Sequence, residues 1–508
     1  MNKTMPAPII GISGMAGYLP RYRVHLADWC RWTGDSWDKV RAVVGTSFRM
    51  RGPDENAYTM AATAVVRLIR QYDLDPSRVG FLGLGTESST DNSAGAVIVK
   101  GMVNQALVSH GLPTLPRACE VPEFKHACLG GVYALKAAAR YLALDGQGRH
   151  AIVVCSDVAE YARDTSGEPT QGAGAVAMLI EESPRLLALE LPLSGSASDY
   201  RGPDFRKPFL RFMQQAPSSY AQPRDFPVFN GKYSTTCYID EVLAAMRDLF
   251  DRLSRAAGMG SNLLRPVPQG PAAFLRDLSA TFLHRPYQRM AETGLIMSYL
   301  LALAIGDIDD QQELAHYAGA AGVDHATLVS ELTGDRDVYA LVGSQRLSDE
   351  LFPLASRTAR AFREGERFEA LMTRLGTRPM QEVGNLYTAS LPAWMAAGLE
   401  QAAAEGPDLA GTRVLTLGYG SGDAAEAIPM VVMPDWAAAA RQIRFAEALA
   451  GPVDLDADGY RALHDGAPFA HPQPPADEVF YIDRIGARDH QFDDSGIEYY
   501  RYQPRAQA

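Results

Sequence analysis

The sequence predicts an α/β fold, a sheet covered by helices, and two observations predict it. Short apolar runs of strand length alternate with longer helical stretches along most of the chain. The composition, 47% hydrophobic and 21% charged over 508 residues, is that of a globular protein large enough to bury a core without cross-links.

In chain order, residues 57–71 read as a helix and residues 79–85, Val-Gly-Phe-Leu-Gly-Leu-Gly, as a buried strand ending in a functional loop. Residues 132–144 read as a second helix, and 150–156 and 174–180 as further strands. The second half repeats the theme: 186–193 and 413–417 are strand-like, and 428–433 resembles the run at 174–180. Residues 420–427 are a glycine turn followed by small residues. Residues 255–271, rich in Gly and Pro, read as a loop. Residues 305–375 carry mixed-charge helical stretches such as 357–374 and read as a helical insertion, either a solvated one or a lid or partner-docking surface. The tail, 451–508, is rich in Pro, Asp and aromatics, and Tyr499, Tyr500 and Tyr502 are expected to pack a final strand on the body.

The formal net charge of -12 argues against nucleic acid or an anionic membrane as a general partner, though a local basic patch can still hold phosphates. The five cysteines, Cys30, Cys119, Cys128, Cys155 and Cys237, are odd in number, irregularly spaced and without a CxxC. Neither a disulfide framework nor a zinc site is suggested, no metal is implied, and a reducing compartment fits. Residues 1–10 lack the basic region and apolar core of a signal peptide. No run of about 18 apolar residues occurs, so no membrane association is expected and cytoplasm is the expected location.

The segment Glu123-Phe124-Lys125-His126-Ala127-Cys128-Leu129-Gly130-Gly131 is the most informative of the chain. The helical stretch that follows places Cys128 at a helix N-terminus, where free N–H groups and the helix dipole favour the nucleophilic thiolate. The glycines would let a substrate approach the sulfur. The other reading is a buried structural cysteine that closes a helix start.

This segment resembles the nucleophile motif of the 3-hydroxy-3-methylglutaryl-CoA synthases, a branch of the thiolase superfamily. Gly85-Thr86-Glu87-Ser88-Ser89-Thr90-Asp91 is similar to that family's general-base loop, and Phe282-Leu283-His284-Arg285-Pro286-Tyr287 to its catalytic histidine segment. Gly384-Asn385-Leu386-Tyr387-Thr388-Ala389-Ser390-Leu391 and Gly418-Tyr419-Gly420-Ser421-Gly422 resemble its late active-site loops. Weaker likenesses occur at Ala16–Pro20, Ser156–Ala159, Gly172–Met178, Asp204–Pro208 and Glu498–Tyr502, all in the family's order. The departures are local. Arg285-Pro286-Tyr287 and Arg289 replace the family's Thr-Pro-Phe and lysine, Gln171-Gly172 replaces a double glycine, and residues 251–272 and 305–375 look longer than the compact bacterial pattern.

The resemblance implies a thiolase-like duplicated fold of five layers, α-β-α-β-α. Residues 1–180 form the N-terminal half with Glu87 and Cys128. Residues 181–450 form the C-terminal half with His284, Asn385 and Ser421, and residues 451–508 an extension packed on the body. It also implies an acyltransferase that condenses a Cys128-bound acetyl group with an acetoacetyl thioester to a 3-hydroxy-3-methylglutaryl thioester. Cys128 holds the acetyl group, Glu87 removes the methyl proton and His284 donates a hydrogen bond to the acceptor ketone. Asn385 would orient His284 or bind a thioester carbonyl, and Ser421 would help form an oxyanion hole; each is otherwise a turn residue. Tyr161 and Asp157 would line the pocket. Lys207, Arg206, Arg285 and Arg289 are candidates for pantetheine or phosphate contacts, or are merely solvated.

No cofactor is implied beyond acetyl-CoA as a substrate, and a homodimer is expected. The acceptor is acetoacetyl-CoA, as in isoprenoid supply by the mevalonate pathway, or an acyl carrier protein thioester, as in β-branching of polyketides. The insertions and the altered surroundings of His284 weigh toward a specialised acceptor. Another thiolase-superfamily condensing enzyme would have no use for the Glu87 loop, and retention of Cys128, Glu87 and His284 together argues against an inactive scaffold.

Overall fold

Ten strands form one mixed sheet in the computed structural model, which describes residues 8–207, 226–259, 263–372, 374–469, 476–488 and 491–505. The strands among the described residues are β1 (Ile10–Tyr18), β2 (Tyr22–His25), β3 (Ser47–Met50), β4 (Val79–Gly85), β5 (Glu123–Phe124), β6 (His150–Ala159), β7 (Gly172–Glu182), β8 (Leu187–Leu189), β9 (Gly195–Ser198), β10 (Leu278–Leu283), β11 (Arg413–Gly420), β12 (Ala424–Val432), β13 (Val453–Asp454), β14 (Val479–Ile485) and β15 (Glu498–Gln503). The order across the main sheet is β10-β11-β12-β8-β1-β7-β6-β4-β5, with β9 also on β12.

The pairing repeats. β1 and β7 are antiparallel, β7 and β6 antiparallel, and β6 and β4 parallel. In the second half β8 and β12 are antiparallel, β12 and β11 antiparallel, and β11 and β10 parallel. The short β8 pairs with both β1 and β12 and so joins the two units. Near-continuous apolar runs such as Val-Gly-Phe-Leu-Gly-Leu-Gly in β4 suit strands covered on both faces.

The helices Ala57–Gln71 and Gly130–Leu144 cover the first unit from opposite sides, as alternate residues of β6 show. Ser156 Oγ donates to the carbonyl of Ala57, while the neighbouring Cys155 lies against Gly131. Asn56 caps the first of these helices, accepting from the N–H groups of Tyr58 and Thr59. In the second unit the Gly231–Met259 helix lies on β9 and β12, and the Ser390–Glu405 helix on β10 and β11. The Gly130–Leu144 and Ser390–Glu405 helices form the inner layer of the five-layer thiolase-like fold.

Several expectations change. The loop at 255–271 starts late, because the Gly231–Met259 helix runs into it and the Pro271–Arg276 helix begins at its end. Of 186–193 only Leu187–Leu189 is strand; Pro192 then sits in a 3₁₀ turn, where its missing N–H is no loss. The insertion at 305–375 is helical but not merely solvated: Leu314, Leu328, Leu332 and Phe362 are buried, and its helices pack on the Gln288–Ala304 helix. In the tail, β13 adds to the small β2–β3 sheet, and Tyr460 joins a second core with Trp29 and Phe48. β14 and β15 form a hairpin that buries Phe480 and Tyr502, whose hydroxyl lies 2.8 Å from His110 Nε2.

Candidate active site

The polar segments singled out in the sequence converge where β4, β6, β10 and β11 end. Parallel pairing sets their relative heights. Gly85 of β4 pairs with Cys155 of β6, so Glu87 emerges beside Asp157. Leu283 of β10 pairs with Leu417 of β11, and the next N–H, that of His284, donates to the carbonyl of Leu417 at 2.8 Å. Ligands of open α/β sheets gather outside such carboxyl ends.

Cys128 is buried one turn before the Gly130–Leu144 helix. Ala127 beside it has φ +37, a strained conformation for a residue with a side chain, and the N–H of Leu129 closes the turn on the carbonyl of His126 at 2.8 Å. The helix terminus does not prevail here. Burial pushes the Cys128 thiol well above its usual range, the Glu87 and Asp157 carboxylates push the same way, and Lys207 opposes them. The resting sulfur is therefore a thiol, contrary to the expected thiolate. The two glycines also serve packing rather than substrate access. A Cβ at Gly131 would sit 2.1 Å from Cys155 Sγ, and one at Gly130 2.5 Å from the carbonyl of Phe124.

Asp157 is a post rather than a pocket lining. Its Oδ1 accepts from Thr86 Oγ1, the Glu87 N–H and Ser88 Oγ, and its Oδ2 from the Thr388 N–H, at 2.8–3.0 Å. It thus ties the Glu87 loop to the loop at 384–391. Burial first, and the Glu87 charge second, raise its pKa to about 7. Lys207 Nζ lies 3.1 Å from Glu87 Oε1 and 5.1 Å from the centre of the Tyr387 ring. That places Lys207 on the carboxylate, not on a phosphate.

A cleft of about 370 Å³ joins the two halves. Cys128, Tyr161, His284, Asn385, Tyr387 and Ser421 all line it. Among the described residues neither ring nitrogen of His284 has a hydrogen-bond partner, and burial drives its pKa down to about 3, so the ring is neutral near pH 7. Tyr419 stacks beside it with ring centres 6.5 Å apart. Asn385 does not orient His284: its Oδ1 accepts from the Tyr387 N–H and Ser390 Oγ, and its amide reaches the Tyr161 side chain. Ser421 occupies the β11–β12 turn, where Gly422 has φ +113.

None of the four basic candidates lines the cleft, Lys207 standing behind it on Glu87. Arg285 is buried and structural, bonding Gln288 Oε1 and the carbonyl of Val44. Arg289 forms a half-buried pair with Glu292 at 3.3 Å and donates to the carbonyl of Ala42, and Arg206 donates to the carbonyl of Gly202. Pro208 lies outside the described residues. Gln171 is equally structural: its amide accepts from the Tyr161 N–H and donates to Tyr460, while a Cβ at Gly172 would strike the carbonyl of Asn385 at 2.4 Å. Tyr287 of the histidine segment lines the cleft, as do Phe229, Lys232 and Met290, which had no distinguishing pattern in the sequence.

Comparison with known proteins points to one family. Residues 6–184 match the family model for the N-terminal part of hydroxymethylglutaryl-coenzyme A synthase, and residues 372–457 that for its C-terminal part. A hydroxymethylglutaryl-CoA synthase of Haloferax volcanii is 28% identical over 81% of this chain and 80% of its own length. A mitochondrial one of Sus scrofa is 29% identical over 84% of this chain and 74% of its own. The solved structure of MvaS in complex with 3-hydroxy-3-methylglutaryl coenzyme A superposes with a TM-score of 0.74 at 29% identity, covering 98% of this chain and 99% of that one. The HMG synthase of the curacin biosynthetic pathway shares the fold, with a TM-score of 0.62 at 18% identity over 90% and 88% of the two chains.

Proposed function

The chain belongs to the hydroxymethylglutaryl-CoA synthase family, C–C bond-forming acyltransferases, and from that premise we propose how its residues divide the condensation of an acetyl group with an acetoacetyl thioester. The observation that carries the reading is the meeting of Cys128, His284, Asn385 and Ser421 in one cleft, with the Glu87 carboxylate close enough to raise the Cys128 thiol.

Cys128 attacks the thioester of acetyl-CoA; the C–S bond to CoA breaks and the thiol proton leaves with CoA. The carboxylates that oppose a thiolate do not oppose the product, because an acetyl-cysteine is neutral. Glu87 then removes a proton from the acetyl methyl group. The resulting carbanion attacks the ketone carbon of the acceptor, whose oxygen gathers charge and takes up a proton. Neutral His284 donates an N–H to that oxygen without competing as a base. Asn385 and Ser421 hold thioester oxygens. Water finally cleaves the Cys128 thioester, so the sum is acetyl-CoA, acetoacetyl thioester and water giving the 3-hydroxy-3-methylglutaryl thioester and free CoA.

We take acetoacetyl-CoA as the acceptor. Of the altered residues after His284 that weighed toward a specialised one, Arg285 and Arg289 do not line the cleft, Tyr287 does, and no described residue of 305–375 does. The carrier-protein alternative is tested by comparing acetoacetyl-CoA with acetoacetyl carrier protein in one assay; a rate at least tenfold higher with the carrier would replace the CoA reading. Mass spectrometry after mixing with acetyl-CoA alone tests the core of the proposal, which requires one acetyl group on Cys128.

We also propose a homodimer. The Gly95–Ser109 helix leaves Val97, Gly101, Gln105 and Val108 exposed on one side, an apolar, small-residue face suited to a second copy. Light scattering that finds only a 55.1 kDa species at micromolar concentration overturns it. A cytoplasmic location is supported by the five free cysteines. Among the described residues no helix is long and apolar enough to cross a membrane.

A further inference from the structure

Behind the Ser421 turn lies a buried polar cluster that the proposed chemistry does not use. Asp204 comes from the 201–207 segment and Asp423 from the residue pair after Ser421; both are buried. Tyr419 OH lies 2.8 Å from Asp423 Oδ1 and 3.4 Å from Asp204 Oδ2. Ser234 donates to Asp204 Oδ1, and the Gly422 N–H to Asp423 Oδ1. Asp423 Oδ2 accepts no N–H or O–H from the described residues, and a carboxyl oxygen of Asp423 lies within 4.8 Å of one of Asp204. Two buried carboxylates this close repel each other, and a proton held by one of them removes that repulsion.

Among the described residues the surroundings offer no cation that is not already engaged with other carboxylates. Arg201 Nε is 3.8 Å from Asp423 Oδ2, but the same guanidinium already serves Asp240 at 2.6 Å, Glu241 at 3.0 Å and Asp199 at 3.2 Å. From the Gly231–Met259 helix the cluster meets Cys237, whose thiol burial pushes up and keeps neutral, Tyr233 hydrogen-bonded to it, and the Tyr238 ring, 4.9 Å from that of Tyr419. From β10 it meets only the neutral His284 ring stacked on Tyr419.

We propose that Asp204 and Asp423 share one proton, and that this proton fastens the Ser421 turn to the 201–207 segment, making Asp423 a positioning residue for the wall of the cleft that carries Ser421 and Tyr419. The inference rests on the function proposed above for that cleft. Burial first, and the Asp204 charge second, raise the Asp423 pKa to about 9 from 3.8, which agrees with one shared proton at neutral pH. The folded chain holds this proton where the unfolded chain has released it. The stability the pair contributes is therefore greatest at low pH and falls as the pH rises from 3.8 to about 9, where both carboxyls become charged.

Asp423→Asn supplies an amide that donates to Asp204 at every pH, while Asp423→Ala removes the link. Thermal unfolding from about pH 6 to about pH 10, followed with the full-length protein, should show the wild type losing stability relative to Asp423→Asn as the pH rises. The alkaline limb of the condensation rate should move up by at least about one pH unit in Asp423→Asn, and Asp423→Ala should condense about tenfold more slowly than Asp423→Asn at neutral pH. Parallel melting profiles in the wild type and Asp423→Asn overturn the proposal, as does stoichiometric divalent metal on the purified protein that Asp423→Ala releases. If no variant condenses at any pH, the functional reading fails while the melting profiles still decide the shared proton.

Discussion

The strand ends of the two halves are topological counterparts, and their chemistry is opposite. At β4 and β6 the chain places Glu87, Asp157 and Lys207 together, so a proton and a charge are held in a buried site. At β10 and β11 it places His284 and Tyr419, and His284 has no charged partner within hydrogen-bonding reach among the described residues. The difference teaches that one crossover architecture can support two electrostatic tasks. The proposed base needs ionisable neighbours that set its charge, whereas the proposed donor needs their absence, so that burial alone keeps the imidazole neutral.

The largest effect should come from the sulfur that lies between these regions. Cys128→Ala is expected to abolish acetyl labelling and turnover together, measured by intact-protein mass spectrometry and product release. Labelling retained in that variant would move the nucleophile elsewhere. On the neutral side, His284→Ala should slow condensation by about 10²–10³, the usual loss for one oxyanion donor. Over about pH 5 to about pH 8 no inflection in the wild-type profile should vanish with it, because burial has already moved the His284 pKa down to about 3.

On the charged side, Lys207→Met should shift the acid limb of the condensation rate to higher pH. The cation favours the ionised form of Glu87, so without it the carboxylate accepts a proton at higher pH and the active form is lost earlier as the pH falls. A limb that stays in place would show that Lys207 does not set this charge. The smallest effect belongs to Arg289→Ala, expected to change KM for either thioester by less than about twofold, since it pairs with Glu292 and does not line the cleft. A tenfold rise in KM would return Arg289 to the substrate path.

Much of this arrangement was legible in the sequence because it lies in short contiguous stretches. The strand at Val79–Gly85 and the helix at Ala57–Gln71 have the bounds read from their apolar patterns, and Glu87, Cys128 and His284 stand at strand or helix ends where loops carry chemistry. What was not legible depends on contacts between distant segments. Whether Arg285 faces a substrate or the carbonyl of Val44 is decided by residues about 240 positions away. The same holds for the Cys128 thiol: the helix terminus is local, but the burial that chiefly raises the thiol, and the Glu87 and Asp157 carboxylates that add to it, come from distant segments. The Asp204–Asp423 pair is likewise invisible until the β11–β12 turn meets the 201–207 segment.

The division of labour between the two halves is tested most directly by measuring acetylation and condensation in the same variants. Glu87→Gln and His284→Ala are each mixed with acetyl-CoA alone, and the acetyl-Cys128 formed is quantified by mass spectrometry before and after acetoacetyl-CoA is added. Both variants should acetylate at close to the wild-type extent and then retain the acetyl group, with condensation slowed by about 10²–10⁴ in Glu87→Gln and about 10²–10³ in His284→Ala. Acetylation and condensation falling together in His284→Ala would contradict the account, because His284 would then act on the nucleophile and not on the acceptor.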